Sequence, residues 1–386
     1  MKSKPITIEC LYGSAQNMHF KSAPIPRASG HVFLGGIVHP DLWLWDSWTL
    51  SEPSGDLHLY CLALNRRTAD GTPITPPERN DFAFHVRHFV SSDHGNSWRD
   101  DGPVITPGQV ADGADARNVW SGSVLALDDG RVAFGFTGVR DRAADQRFLQ
   151  TICVATGPDA YQVDTIPQTA ISCPLRDYDA IVEKGFYLGP RGSLGSDLGE
   201  DGGPIMAWRD PFLFSDSSGG LHAIWSAKVS PIRPAIAHAR LKRDGKNIVL
   251  DELSAPIELP DADLMTQAEV PKLYRDPKSG DFLLVVSACD RRYEGQPDSE
   301  LTHYHRLYRS ADVLGPWQAI APDTSKLPGL DGLFGGSVIE FELSHGSFKI
   351  LGPYTENAGP EKQLQFAKPR EVYLATDFAS EPVKIG

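Results

Sequence analysis

The sequence predicts an all-β fold, a five-bladed β-propeller with four antiparallel strands per blade around a central funnel. Three observations predict it. Short alternating apolar runs, broken by Gly, Asp and Ser, dominate the 386 residues, and long stretches of helical period are scarce. Glycine (36) and proline (30) supply about one residue in six, a turn-rich composition. Most specific is a unit that recurs five times: an apolar run, a polar turn containing Gly, and a second β-rich run. An irregular β-sandwich would alternate too, but spaced copies of one hairpin, with no long helix between them, are the pattern of propeller blades.

In chain order the units are "DSWTLSEPSGDLHLYCLAL" from Asp46, "SGSVLALDDGRVAFGFTG" from Ser121, "DPFLFSDSSGGLHAIWSA" from Asp210, "EVPKLYRDPKSGDFLLVVSA" from Glu269 and "GGSVIEFELSHGSFKILGPY" from Gly335. Their starts are 75, 89, 59 and 66 residues apart. Residues 1–386 read as a single domain, with the first ~30 residues a peripheral extension. "SSDHGNSW", residues 91 to 98, fits S-x-D-x-G-x-[ST]-W and resembles the Asp-box turn of sialidase-type propellers. There Asp caps a tight turn, Gly supplies its backbone and Trp packs beneath. "SADVLGPW", residues 310 to 317, is a looser copy. Both read as structural turns of outer hairpins.

A net charge of −13 argues against nucleic-acid backbones and anionic membranes as partners, and fits a protein that handles small neutral molecules. No apolar run reaches signal-peptide length or the ~20 residues of a membrane span. Cys10, Cys61, Cys153, Cys173 and Cys289 are scattered, without CxxC or zinc spacing. The expectation is a reduced cytoplasmic protein, or one secreted without a classical signal, monomeric or homodimeric, with no metal or cofactor. "HVRH" at 85–88 and "THYHR" at 302–306 lack the helical H-E-x-x-H context of a zinc protease. "GSLGSDLGEDGG", residues 192 to 203, is a mobile loop at a pocket rim or a calcium loop, though without the EF-hand pattern.

Function is concentrated where carboxylates fall on the repeated unit. "LWLWDSWTL", residues 42 to 50, places Asp46 among Trp43, Trp45 and Trp48. Three units begin with an acid: Asp46, Asp210 and Glu269. Inner strands of a propeller converge on its channel, so these acids would meet. Clustered like charges oppose folding, and such clusters mark functional sites. Paired carboxylates walled by tryptophan suit glycosyl transfer, in which one carboxylate attacks or activates water and a protonated one donates to the leaving oxygen. Arg209 would pair with Asp210 and keep it ionised. Glu269 is flanked by apolar Ala268, Val270 and Pro271.

Four segments carry a family resemblance. "LWLWDSWTL" resembles the W-D-[ST]-W-P-L segment of the levansucrases, glycoside hydrolase family 68. "NVWSGS" at 118–123 is similar to that family's E-W-S-G-[SC], "AWRDPFLF" at 207–214 to its F-R-D-P, and "TQAEVPKLY" at 266–274 to its Q-T-E-R-P-H. The order and spacing agree, and "LGPW" at 314–317 resembles a later G-P-Y. The R-D-P element is shared with the related invertase and inulinase family 32. The resemblance implies a five-bladed propeller that cleaves sucrose or related fructosides through a covalent β-fructosyl-enzyme. It implies Asp46 as nucleophile, Asp210 as transition-state stabiliser and Glu269 as general acid/base. Trp45, Trp120, Ser121 and Arg209 would contact the fructosyl unit, with Gln267 in the same pocket. Arg291 and Arg292, in "DRRYEG" at 290–295, fall where an acceptor loop would lie, or are a solvated charge pair.

This chain departs from the family pattern at three points. Thr49 stands for a proline, Val270 for an arginine, and "LFGGS" at 333–337 for a Tyr-Ser-His type segment. Four readings remain: a levansucrase-like transferase, a mainly hydrolytic β-fructofuranosidase, an inverting glycosidase on a related propeller, and a non-catalytic sugar-binding propeller.

Overall fold

In the computed structural model the described residues are 23–110, 113–276, 278–320, 325–342 and 346–374, and they build five antiparallel sheets in a ring. Blade 1 contains β1 (Val32–Leu34), β2 (Leu42–Ser51), β3 (Leu57–Asn65), β4 (His85–Ser91) and β5 (Ser97–Ile105). Blade 2 contains β6 (Asn118–Ala126), β7 (Val132–Arg140) and β8 (Leu149–Gly157). Blade 3 contains β9 (Arg209–Ser215), β10 (Leu221–Ser230), β11 (Arg233–Asp244) and β12 (Asn247–Leu253). Blade 4 contains β13 (Gln267–Arg275), β14 (Phe282–Cys289), β15 (His303–Ser310) and β16 (Gln318–Ala319), and blade 5 contains β17 (Ser337–Glu342), β18 (Ser347–Leu351) and β19 (Arg370–Tyr373).

All five hairpins read from the sequence form: β2–β3, β6–β7, β9–β10, β13–β14 and β17–β18. The blades carry three to five strands rather than four throughout. After β8 the returning chain holds Pro158, Pro167 and Pro174. Proline has no ladder N–H, and the fourth strand of blade 2 is reduced to the bridges Ile152–Ser172 and Thr156–Thr165. Most of the N-terminal extension lies outside the described residues. Its last part runs along blade 1, where the carbonyls of Pro26 and Arg27 accept from the Arg87 guanidinium at 2.5 and 2.9 Å.

The inner strands β2, β6, β9, β13 and β17 surround the channel, with β2 beside both β6 and β17. Blades 5 and 1 are tied by Ile37 and Phe366, which exchange backbone bonds of 3.1 and 3.0 Å, and by Ser47 N–H to Gly335 O at 2.9 Å. One apolar cluster fills each blade junction. Trp48, Tyr60 and Phe134 lie between blades 1 and 2, and Trp208, Trp225 and Ile152 between 2 and 3. Ile224, Leu284 and Trp317 lie between 3 and 4, Leu283, Leu307 and Ile350 between 4 and 5, and Leu44, Trp98 and Phe366 between 5 and 1. The 91–98 turn is structural as expected: Asp93 accepts from Ser97 N at 2.8 Å and Ser97 Oγ at 2.6 Å, and Trp98 is fully buried.

Candidate active site

Four inner strands lose register at equivalent points. The break lies between Trp45 and Ser47 in β2, between Trp120 and Gly122 in β6, and around Asp210–Pro211 in β9. In β13 it lies between Glu269 and Lys272. Each break is a β-bulge, which bends the strand and re-aims a side chain. Asp46 (φ 31°), Asp210 (φ 62°) and Val270 (φ 47°) take left-handed backbone there, a strain characteristic of functional sites.

The bulge in β2 explains one carboxylate among three tryptophans. Trp45, ahead of the bulge, lines the central cavity and packs edge-on to Phe84 with centroids 4.5 Å apart. Trp48, beyond it, is core. Trp43 is half-buried: its indole N–H donates to the Ile74 carbonyl at 2.8 Å, and the Arg66 guanidinium lies 4.0 Å over its ring. Two expectations are corrected. Asp46 and Asp210 sit at bulges inside strands rather than at strand starts. Asp46, Ser121, Asp210 and Val270 are the bulge residues, so Glu269 stands one place earlier, level with Trp45, Trp120 and Arg209.

A cavity of about 690 Å³ opens at this end of the channel. Asp46, Asp210 and Glu269 line it, together with Trp45, Trp120, Ser121, Arg209, Gln267 and Arg291. Arg292 does not: its side chain is exposed, and its N–H donates to Gln296 Oε1. Arg291 is committed to Asp298 (2.9 Å) and the Gln296 carbonyl (2.8 Å), which fixes the loop.

Cross-blade contacts set the electrostatics. Ser121 Oγ donates to Asp46 Oδ2 at 2.5 Å. Burial raises the Asp46 carboxyl above its ordinary range, against the pull of that hydrogen bond; Glu269 raises it further, while Lys272 and Arg79 lower it. Arg209 does not serve mainly to ionise Asp210. Its Nη2 donates to Glu269 Oε1 and, at 3.2 Å, to Gln267 Oε1, while Nη1 donates to the Met206 carbonyl at 2.9 Å. Asp210 Oδ2 lies 3.7 Å from Arg209 Nε and accepts from Ser226 Oγ (3.2 Å) and Val270 N–H (3.0 Å). Burial still outweighs these contacts and pushes Asp210 up to about 7. Glu269 therefore meets a guanidinium, not the apolar setting that its sequence neighbours suggest.

Three contributors escaped sequence reasoning. Gly335 (φ 64°) touches Asp46 so closely that a Cβ would lie 2.2 Å from Oδ1. Arg79, from the loop before β4, reaches the cavity and ion-pairs with Glu356 across 277 residues of sequence. Lys272 is fully buried in β13, and its position inside the apolar run "VPKLY" was the one available signal. The Gly/Asp-rich loop 192–203 is anchored: the buried Glu200 carboxylate accepts from Gly195 N–H at 3.0 Å and from Met206 N–H at 2.5 Å. No group of His, Cys, Asp and Glu suited to a metal occurs among the described residues.

The fold and cavity define a class: a five-bladed propeller whose inner strands bring carboxylates and tryptophans into one funnel. Among solved structures the chain is similar in fold to an inulosucrase from Halalkalicoccus jeotgali bound to kestose, at 18% identity and TM-score 0.59 over 94% of this chain and 91% of that one. It is also similar to Bacillus subtilis levansucrase (14%, TM-score 0.57, 91% and 88%) and to a levansucrase variant complexed with sucrose (14%, 0.57, 86% and 84%). No protein-family model and no curated protein sequence matches the chain. At these identities the likeness establishes the fold.

Proposed function

We propose that the protein is a levansucrase-like fructosyltransferase that cleaves sucrose with retention of configuration. One observation carries this reading: Asp46, Asp210 and Glu269, from three blades, line one cavity with Trp45 and Trp120, and Arg209 bridges toward two of the acids. The solved structures of similar fold, one with sucrose and one with kestose, support it. An Asp46 oxygen attacks the fructosyl anomeric carbon as the glycosidic C–O bond breaks. The bond pair goes to the glycosidic oxygen, which takes a proton from Glu269, and glucose leaves. Glu269, now a carboxylate, takes the proton of an acceptor hydroxyl that attacks the same carbon and frees Asp46. Asp210 and Arg209 hold the fructosyl hydroxyls as positive charge develops.

Water and sugar hydroxyls compete for the intermediate. The rim guanidiniums Arg79 and Arg291 are each paired with a carboxylate, which favours short transfer products over long levan. The test is incubation with sucrose, with glucose and free fructose measured separately. Glucose release should exceed free fructose as sucrose rises. Equal release at every concentration makes the enzyme a β-fructofuranosidase, and release of neither refutes sucrose as donor. A Glu269→Gln variant should still turn over a fructosyl fluoride, whose leaving group needs no proton. Equal loss of both donors removes the acid/base role.

A further inference from the structure

Lys272 takes part in none of the catalytic steps, yet Asp46 and Asp210 both act on it. It is 2% exposed, and Nζ donates to the Val270 carbonyl at 3.1 Å. The flanking peptide carries the rest of the geometry. Val270 N–H donates to Asp210 Oδ2 at 3.0 Å, and the residue before it is Glu269, whose carboxylate meets Arg209. Val270 is β-branched and holds φ 47°, a backbone region that such side chains avoid. A strained peptide persists only where its surroundings over-determine it. Here the amide is fixed from one side by Asp210 and the carbonyl from the other by Lys272.

We propose that Lys272 is a positioning residue for this site: its ammonium clamps the Val270 bulge, and through it sets the placement of both Glu269 and Asp210. The assignment rests on the catalytic reading above. A fully buried lysine needs such an occupation, because an ammonium left uncompensated in the interior is costly. The charged groups that face it are Asp46 on β2 and Asp210 on β9, with His305 on β15 as a titratable neighbour. Asp46 in turn faces Glu269, Arg79 and the Ser121 hydroxyl besides Lys272, and Asp210 faces Arg209, Asp46 and Glu269. Burial lowers Lys272 to about 8, against the pull of the two aspartates, and its positive charge lowers Asp46. The residue thus joins a mechanical role to an electrostatic one.

Lys272→Met keeps the side-chain length and removes both donor and charge. Its kcat/KM on sucrose should fall roughly 100-fold, the cost of about an ångström of misplacement in a near-attack geometry. The acid limb of its pH profile should move to higher pH, because Asp46 loses a cation that holds it down. A readout free of turnover is the infrared stretch of the protonated Asp46 carboxyl, assigned by its absence in Asp46→Asn and followed against pH. It should titrate at higher pH in Lys272→Met than in wild type, and Lys272→Arg should restore much of the difference. Should Lys272→Met not fold, Lys272→Gln carries the same comparison. Activity within about two-fold of wild type overturns the proposal, since misplaced catalytic groups cost far more. So does a loss of activity with an unchanged Asp46 titration, which marks a purely structural lysine. If wild type cleaves no sucrose, the catalytic reading fails, while the infrared comparison still decides whether Lys272 governs Asp46.

Discussion

Asp210→Asn should make the protein more stable, and more so as pH rises. Asp210 is 4% exposed and its carboxyl is pushed from 3.8 to about 7, chiefly by burial and also by its like-charged neighbours Asp46 and Glu269. A carboxyl whose folded pKa is raised binds more protons in the native state than in the unfolded state. Its contribution to stability is therefore full below the unfolded value and is lost as pH climbs through the folded value. The window runs from about pH 4 to about pH 7. The gap between 3.8 and about 7, at about 1.4 kcal/mol per tenfold change in proton affinity, comes to about 4 kcal/mol. The 3.7 Å attraction to Arg209 is already contained in that shifted value, so about 4 kcal/mol is an upper bound on what the neutral asparagine gains above pH 7. Asparagine still accepts from Val270 N–H and Ser226 Oγ through its carbonyl oxygen. Thermal unfolding of wild type and variant across this range should show Tm values close together near pH 4. Near pH 8 the variant should lead by a few degrees, with activity abolished. A variant that is less stable at every pH by the same amount would refute the reasoning and make Asp210 a structural cap.

Three further outcomes follow from contacts between blades. Ser121→Ala removes the 2.5 Å hydrogen bond that lowers Asp46; kcat should fall about ten-fold or more, and the acid limb of the pH–rate profile should move to higher pH. Arg209→Lys keeps the charge but cannot span Glu269, Gln267 and the Met206 carbonyl; kcat/KM should fall roughly 100-fold with Tm changed by only a few degrees, as measured by initial rates and calorimetry. Gly335→Ala drives a Cβ into Asp46 at a left-handed position; loss of more than about 2 kcal/mol in denaturant unfolding, together with loss of activity, is expected.

The sequence by itself determined what local rules control. Hairpins appear where alternation and Gly turns place them, because the period of side chains and the backbone demands of turns are properties of a few neighbouring residues. The same logic picked out Asp93 and Trp98 as a turn and its anchor. The acids were legible as residue types in a repeated unit, and the cavity gathers all three. The tertiary structure alone decided their geometry. Bulges at Asp46, Asp210 and Val270 shift each strand by a residue, and no propensity foretells a left-handed valine. The partners that tune the carboxylates are distant in sequence: Ser121 lies 75 residues from Asp46, Glu269 lies 60 from Arg209, and Gly335 meets Asp46 across the closure of the ring. Whether Arg209 serves Asp210 or Glu269, and whether a buried lysine faces core or site, depends on how blades pack. A charge in a strand has no neighbourhood until the sheets close around it.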